Sequence, residues 1–166
     1  REWQHYKDVL AEVADEAVTK LNAQIVFMPM QYPEDVKAAK KIVAKMKQPA
    51  CVLKEDFTTR ELMSLVGNMD LMIGIRLHAL IFAGVMGTPM IGISYDPKID
   101  RFLKSIDEDV VGDLENVTVE ALMQEINAKW NNKEIYRNQN LKRMAKLRSL
   151  ARSNAEMALE FIDKNK

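Results

Sequence analysis

Two clusters near the middle of the chain, Arg76-Leu77-His78 and Tyr95-Asp96-Pro97-Lys98, hold the residue types that grip a small anion and move a proton. Arg76 offers a planar fork matched to two oxygens of a carboxylate or phosphate, and Lys98 a compact point charge. His78 carries the one side chain that gives and takes a proton near neutrality without special tuning, so among anion-binding cations it is an acid–base candidate. Each cluster directly follows a short apolar run of strand type, Asp70 to Ile75 and Pro89 to Ser94, and an almost wholly apolar helix from Leu77 to Met86 lies between them. Side by side and parallel, those two strands would open both clusters into one crevice. The N-terminus of the Leu77 helix, with its free N–H groups and positive dipole end, would then be a further anion seat.

Singly, these residues have plainer readings. A lone His on an apolar helix is usually a hydrogen-bonded structural residue, Asp96-Pro97 is ordinary turn chemistry, and Arg76 and Lys98 are surface charges. Their convergence on neighbouring strand ends favours the functional reading.

The elements that must position these residues follow from periodicity. Apolar residues at 3, 6, 10, 13, 14, 17 and 21 predict an opening amphipathic helix. Ile25 to Met30 is a strand, and Tyr32-Pro33-Glu34-Asp35 suits the first turn of a helix running to about Met46. Cys51 to Leu53 is the next strand, and Thr58 with Glu61 forms a capping box opening a helix to about Val66. After the two strands already described come an amphipathic segment from Ile99 to Ile106, a loop at Asp107-Glu108-Asp109, an edge strand at Val110-Val111, and helices from Thr118 and Lys133. Short apolar strands alternating with helices predict an α/β fold, a Rossmann-like doubly wound parallel sheet. In such sheets ligands gather beyond the carboxyl ends of the strands, where Arg76, His78, Ser94, Tyr95 and Lys98 all fall.

Composition excludes several classes. At 166 residues and 48% hydrophobic content the chain suits a single domain. Its 24 basic and 24 acidic residues cancel, so no global field attracts nucleic acid. The single Cys51, in an apolar stretch, is expected to be buried packing in a reducing compartment. With two His and one Cys far apart no zinc pattern exists, the eleven Met residues are scattered as gap-fillers, and His5 has no companions. No glycine-rich GxGxxG or GxxxxGK[ST] loop is present, which disfavours dinucleotide or P-loop chemistry. No run of 18 apolar residues and no signal-type N-terminus occur, and an opening at Arg1 without Met reads as a piece of a longer protein. In the last helix, apolar positions 141, 144, 147, 151, 155, 158 and 162 are expected to face a core. The basic run Lys142, Arg143, Lys146, Arg148 and Arg152 is expected to be a solvated face, with attraction to anionic membrane lipid as the alternative.

The stretch from Asp70 through Arg76-Leu77-His78-Ala79 to Ser94-Tyr95-Asp96-Pro97-Lys98 resembles the polysaccharide pyruvyl transferase family, specifically its CsaB-type members. The Met28-Pro29-Met30-Gln31 segment and the opening Arg1-x-Trp3 extend the resemblance over nearly the whole chain. It implies a two-domain GT-B-type protein of which residues 1–166 are the C-terminal, donor-binding half, with helices from about 118 to 164 and an N-terminal partner domain that is absent here. It further implies transfer of a pyruvyl group from phosphoenolpyruvate to a sugar, as a 4,6-ketal on N-acetylmannosamine of a secondary cell wall polymer that anchors surface-layer proteins. By the same resemblance His78 is the acid–base residue, and Arg76 and Lys98 bind the donor with Leu77, Ser94 and Tyr95 beside them. Phosphoenolpyruvate serves as substrate, with no cofactor and no metal, and the acceptor sugar is lipid-linked or polymeric. The setting it implies is cytoplasmic, at the inner face of the cell membrane, and this chain alone is expected to be inactive. The rival readings are the second half of an ordinary GT-B glycosyltransferase binding a sugar nucleotide, and a non-catalytic binding module.

Overall fold

Every residue from Met90 to Ser94 is buried, which marks this strand as the centre of the architecture. The computed structural model describes residues 4–164, so the Arg1 and Trp3 of the family resemblance lie outside the described residues. In chain order the elements are α1 (His5–Leu21), β1 (Ile25–Phe27), α2 (Glu34–Val43), β2 (Ala50–Val52), α3 (Thr59–Gly67), β3 (Met72–Gly74), α4 (Leu77–Met86), β4 (Met90–Ser94), α5 (Pro97–Ser105), β5 (Val110–Asp113), α6 (Val119–Asn131) and α7 (Lys133–Lys164).

All the strand pairings are parallel. β4 lies between β3 and β5, with Met72 opposite Met90, Ile73 opposite Ile91 and Gly74 opposite Gly92. Both faces of this sheet are covered, as the period-two alternation of side chains requires. Ile91 and Ile93 of β4, with Ile73 of β3, join one core under α1 and α6 that includes Val9, Val13, Leu122 and Ile126. Met90 and Met72 turn to the other face, where Leu80 of α4, Leu103 of α5 and Met144 of α7 build a second core. The fold is a Rossmann-like α/β arrangement, and the side-by-side parallel placement of β3 and β4 is as their sequence predicted.

The paired glycines are what bring helices close to the carboxyl end of the sheet. A Cβ on Gly74 would stand 2.6 Å from Leu80 Cδ2, and one on Gly92 would collide with Leu103 Cδ1. Their missing side chains let α4 and α5 lie directly on β3 and β4. Gly87, at φ 76°, ends α4 in the left-handed conformation.

The parallel ladder has a break. β1 pairs with β2, and among the described residues no ladder joins β1 to β3. A cavity of about 380 Å³ occupies the gap, lined by the consecutive residues Ile25–Met28 and Leu71–Ile75. Successive strand residues point to opposite faces, so a cavity reached by whole runs of both strands lies edge-on between them. α1 and α2 supply further walls through Leu10, Val13, Ala39 and Ile42, and α6 adds Ile126 and Trp130.

Three expectations are revised. Cys51 is exposed rather than buried, because β2 is an edge strand and Cys51 is its outward-turned middle residue. In α7, Met144 is buried and Leu147 packs on the second core, but Leu141 is 45% exposed and residues 148–164 are exposed throughout. A 32-residue helix spans roughly 48 Å at 1.5 Å per residue, and its distal half runs beyond the surface it packs on, taking Ala151, Ala155, Ala158 and Ile162 away from any core. Nor is the basic run of α7 uniformly solvated, since Arg143 pairs with Glu108 at 2.8 Å. Among the described residues no helix is long and apolar enough to cross a membrane.

Candidate functional site

Arg76 is the N-cap of α4, in extended conformation at φ −96° and ψ 134°, and its side chain does not cap the helix. The first-turn amides of α4 therefore lack a side-chain acceptor from their own N-cap, an arrangement that favours an anion. The guanidinium instead reaches across the chain to Asp35 in the first turn of α2. Nη2 donates to Oδ1 at 2.7 Å, and Nε donates to both carboxylate oxygens at 3.2 Å. Asp35 is itself held by the backbone amides of Met30 and Gln31, at 3.0 and 2.9 Å to Oδ2. Tyr95 stands close enough to Arg76 to interact with it electrostatically and lines the same cavity, so the structure brings together two residues singled out from opposite clusters. The Asp35 hydrogen bonds, ahead of a smaller opposing effect of burial, raise the pKa of Arg76, which stays a cation at any physiological pH.

Arg76, Asp35, Tyr95 and Tyr6 stand together as polar groups of the otherwise mainly apolar cavity between β1 and β3. Burial, reinforced by the negative charge of Asp35, raises the Tyr6 phenol above its ordinary value and keeps it protonated. His78 and Lys98 are not part of that lining. His78 is exposed in the first turn of α4, its ring 6.4 Å from that of Phe82 on the next turn. Exposure leaves the imidazole accessible to a ligand, which a structural His sealed in the core would not be. Leu77 is half-buried and packs on the second core, anchoring the turn that carries His78.

Asp96 caps α5 by accepting from the Lys98 amide at 2.9 Å, with Pro97 at the helix start. Asp96-Pro97 is thus turn chemistry that sets the direction of α5. The Lys98 Nζ lies 3.2 Å from Asp96 Oδ2 on an exposed surface. The Lys98 amide bond, then its side chain, lowers the Asp96 pKa. Ser94 is buried at the end of β4 and its hydroxyl donates to Asp100, which makes it a brace between β4 and α5. His5, assigned no role from sequence, bonds the Val117 carbonyl through Nε2 at 2.7 Å.

Asp35 and Tyr6 were not among the expected site residues. Asp35 reads locally as a first-turn acid complementing a helix dipole, and its partner is 41 positions away. No short-range signal connects them.

The geometry therefore offers a cationic guanidinium, an uncapped helix N-terminus, an exposed imidazole in its first turn and a lysine on the next helix, all following the carboxyl ends of adjacent parallel strands. Groups of these kinds are the ones that hold small anions and exchange protons with them. No curated protein sequence and no solved structure matches the chain. The family model for polysaccharide pyruvyl transferase matches residues 1–97, more than half of the chain, taking in Arg76, Leu77, His78, Ser94 and Tyr95 and ending one residue before Lys98. The chain belongs to the polysaccharide pyruvyl transferase family.

Proposed function

We propose that the chain is the donor-binding part of an enzyme that transfers a pyruvyl group from phosphoenolpyruvate to a sugar. The reading rests chiefly on one observation: His78 is exposed on the first turn of α4, two residues after Arg76 and beside the strand that leads to Tyr95 and Lys98. Phosphoenolpyruvate carries a carboxylate and a phosphate on a three-carbon frame, and Arg76, Lys98 and the α4 amides are donors of the kinds such a pair would need. Arg76 and the α4 amides would hold one anionic group and Lys98 the other.

Ketal formation needs a proton on the methylene carbon of the donor while a sugar hydroxyl bonds to the neighbouring carbon and releases its own proton to the base left by that transfer. Phosphate then leaves with the C–O bonding pair, and a second hydroxyl of the same sugar closes the ring and gives up its proton. His78 would supply the first proton. Arg76 and Lys98 would stabilise the charge gathering on the departing phosphate, the kind of preorganised electrostatics that usually dominates catalysis. On this reading the acceptor is N-acetylmannosamine of a secondary cell wall polymer, lipid-linked or polymeric, ketalised at positions 4 and 6 in the cytoplasm, and a second domain completes the acceptor side.

The test measures phosphate release and ketal formation with phosphoenolpyruvate and such an acceptor, using the protein together with its partner domain. His78→Ala should lower turnover about 10²- to 10⁴-fold with an unchanged melting temperature, since the side chain is exposed. Saturable binding of a uridine-diphosphate sugar with no response to phosphoenolpyruvate would replace this reading with sugar-nucleotide transfer.

A further inference from the structure

We infer that Asp35 is the positioning residue that presents Arg76 to the donor, an inference that rests on the phosphoenolpyruvate reading of the site. Three observations carry it. The Asp35 carboxylate takes the Nε and Nη2 edge of the guanidinium, so the opposite edge, bearing Nη1, is the one Asp35 does not use. Its own orientation is fixed by the Met30 and Gln31 amides, which follow β1, so it is not a flexible surface acid that happens to meet an arginine. And the pair stands beside the gap between β1 and β3, where, among the described residues, no strand pairing fixes their spacing.

An arginine side chain with four free torsions loses much rotamer freedom when a ligand immobilises it, and a guanidinium already locked has less to lose. Asp35 thus prepays the ordering of Arg76 before an anion arrives, and it does so from α2, an element that carries none of the residues expected to touch the donor. Tyr95, which follows β4, lines the same cavity as this guanidinium.

The experiment is a double-mutant cycle read by calorimetric titration of phosphoenolpyruvate into the protein together with its partner domain, as wild type, Asp35→Asn, Arg76→Ala and the double variant, with a thermal melt of each. Asn keeps the shape and an acceptor for the loop amides while surrendering the charge. Donor affinity should fall about tenfold in Asp35→Asn, the effect of losing one charge-assisted contact, and no further when that change is added to Arg76→Ala. Should Asp35→Asn fail to fold, Asp35→Glu replaces it in the cycle. It keeps the charge one methylene farther out and should also weaken the donor only where Arg76 is present. Wild-type affinity in the Asp35 variant beside a loss in Arg76→Ala would overturn the positioning role and leave the donor site standing. So would additive losses, because a merely structural Asp35 acts regardless of what occupies position 76. No saturable binding by wild type at millimolar phosphoenolpyruvate, or binding indifferent to Arg76→Ala, overturns the donor reading and the inference with it.

Discussion

Replacing Lys129 by Met should be among the most destabilising single changes on the surface-to-core boundary of this protein. Lys129 on α6 is 3% exposed, and its ammonium donates to the Met90 carbonyl at 2.7 Å and to Glu108 Oε2 at 2.6 Å. Glu108 in turn receives Arg143 of α7 at 2.8 Å. One buried cation therefore ties the amino end of β4, the loop before β5 and, through Glu108, the long helix α7. Lys129→Met strips the Met90 carbonyl of this partner, which costs about 1–3 kcal/mol for a buried polar group. It also leaves Glu108 with Arg143 as its remaining cation, so the ~3–5 kcal/mol typical of an orphaned buried charge applies only in part. A total of ~3 kcal/mol is expected, a large share of the ~5–15 kcal/mol that usually holds a protein folded. For a chain of this size that is a fall in melting temperature of about 6–12 °C. Urea and thermal unfolding followed by circular dichroism would measure it. Adding Glu108→Gln should recover part of the loss, because it neutralises the charge that Lys129 had compensated. A Lys129→Met melt within about 2 °C of wild type, or a double variant that is worse by the full sum, would show that burial here is not what makes the lysine matter.

Gly74→Ala should destabilise by about 1–3 kcal/mol, since its methyl would stand 2.6 and 2.8 Å from Cδ2 and Cγ of Leu80 in the core; donor titration of the same variant should show weakened binding, because α4 and His78 must shift to make room. Cys51 should react stoichiometrically with a thiol reagent in the native protein, at a rate insensitive to low urea; labelling that waits for global unfolding would place it inside. The Asp96 carboxylate is held below its ordinary value of 3.8 chiefly by the Lys98 amide. Its contribution to α5 is therefore complete above that value and disappears as pH falls through its own lower one. The Asp96→Asn variant should show a shallower loss of stability on acidification below about pH 4, and a slope equal to that of wild type would mean the cap is energetically idle.

Much of the scaffold was written in local pattern. The Thr58–Glu61 capping box forms as read, with the Glu61 side chain accepting from the Thr58 amide at 2.8 Å, and the Thr118 hydroxyl opens α6. The apolar run Leu77 to Met86 is helix α4 to the residue. These features depend on neighbours within a turn, and so does the placement of Arg76 and His78 around an N-terminus that follows a strand. Parallel pairing of β3 with β4 was also legible, because a helical crossover between two buried strands admits little else.

Which face each element shows, and to what, was decided elsewhere. The apolar spacing of α7 continues past Leu147 as though a core went on beneath it, yet periodicity reports only that one face is apolar and cannot say where the neighbouring surface ends. Cys51 has apolar neighbours in sequence but belongs to an edge strand, and being at an edge is a property of strand order. The break between β1 and β3 is likewise a matter of strand pairing and of the cavity, walled in part by α1 and α2, that lies between them. The chemistry divides along the same line. Residue type and short spacing nominate Arg76, His78, Tyr95 and Lys98, because helix starts and strand ends are local events. Only the folded chain sets Asp35 against Arg76 across 41 positions and Lys129 against Glu108 across 21, since an ion pair acts over a few ångströms of space and leaves no periodic trace along the backbone.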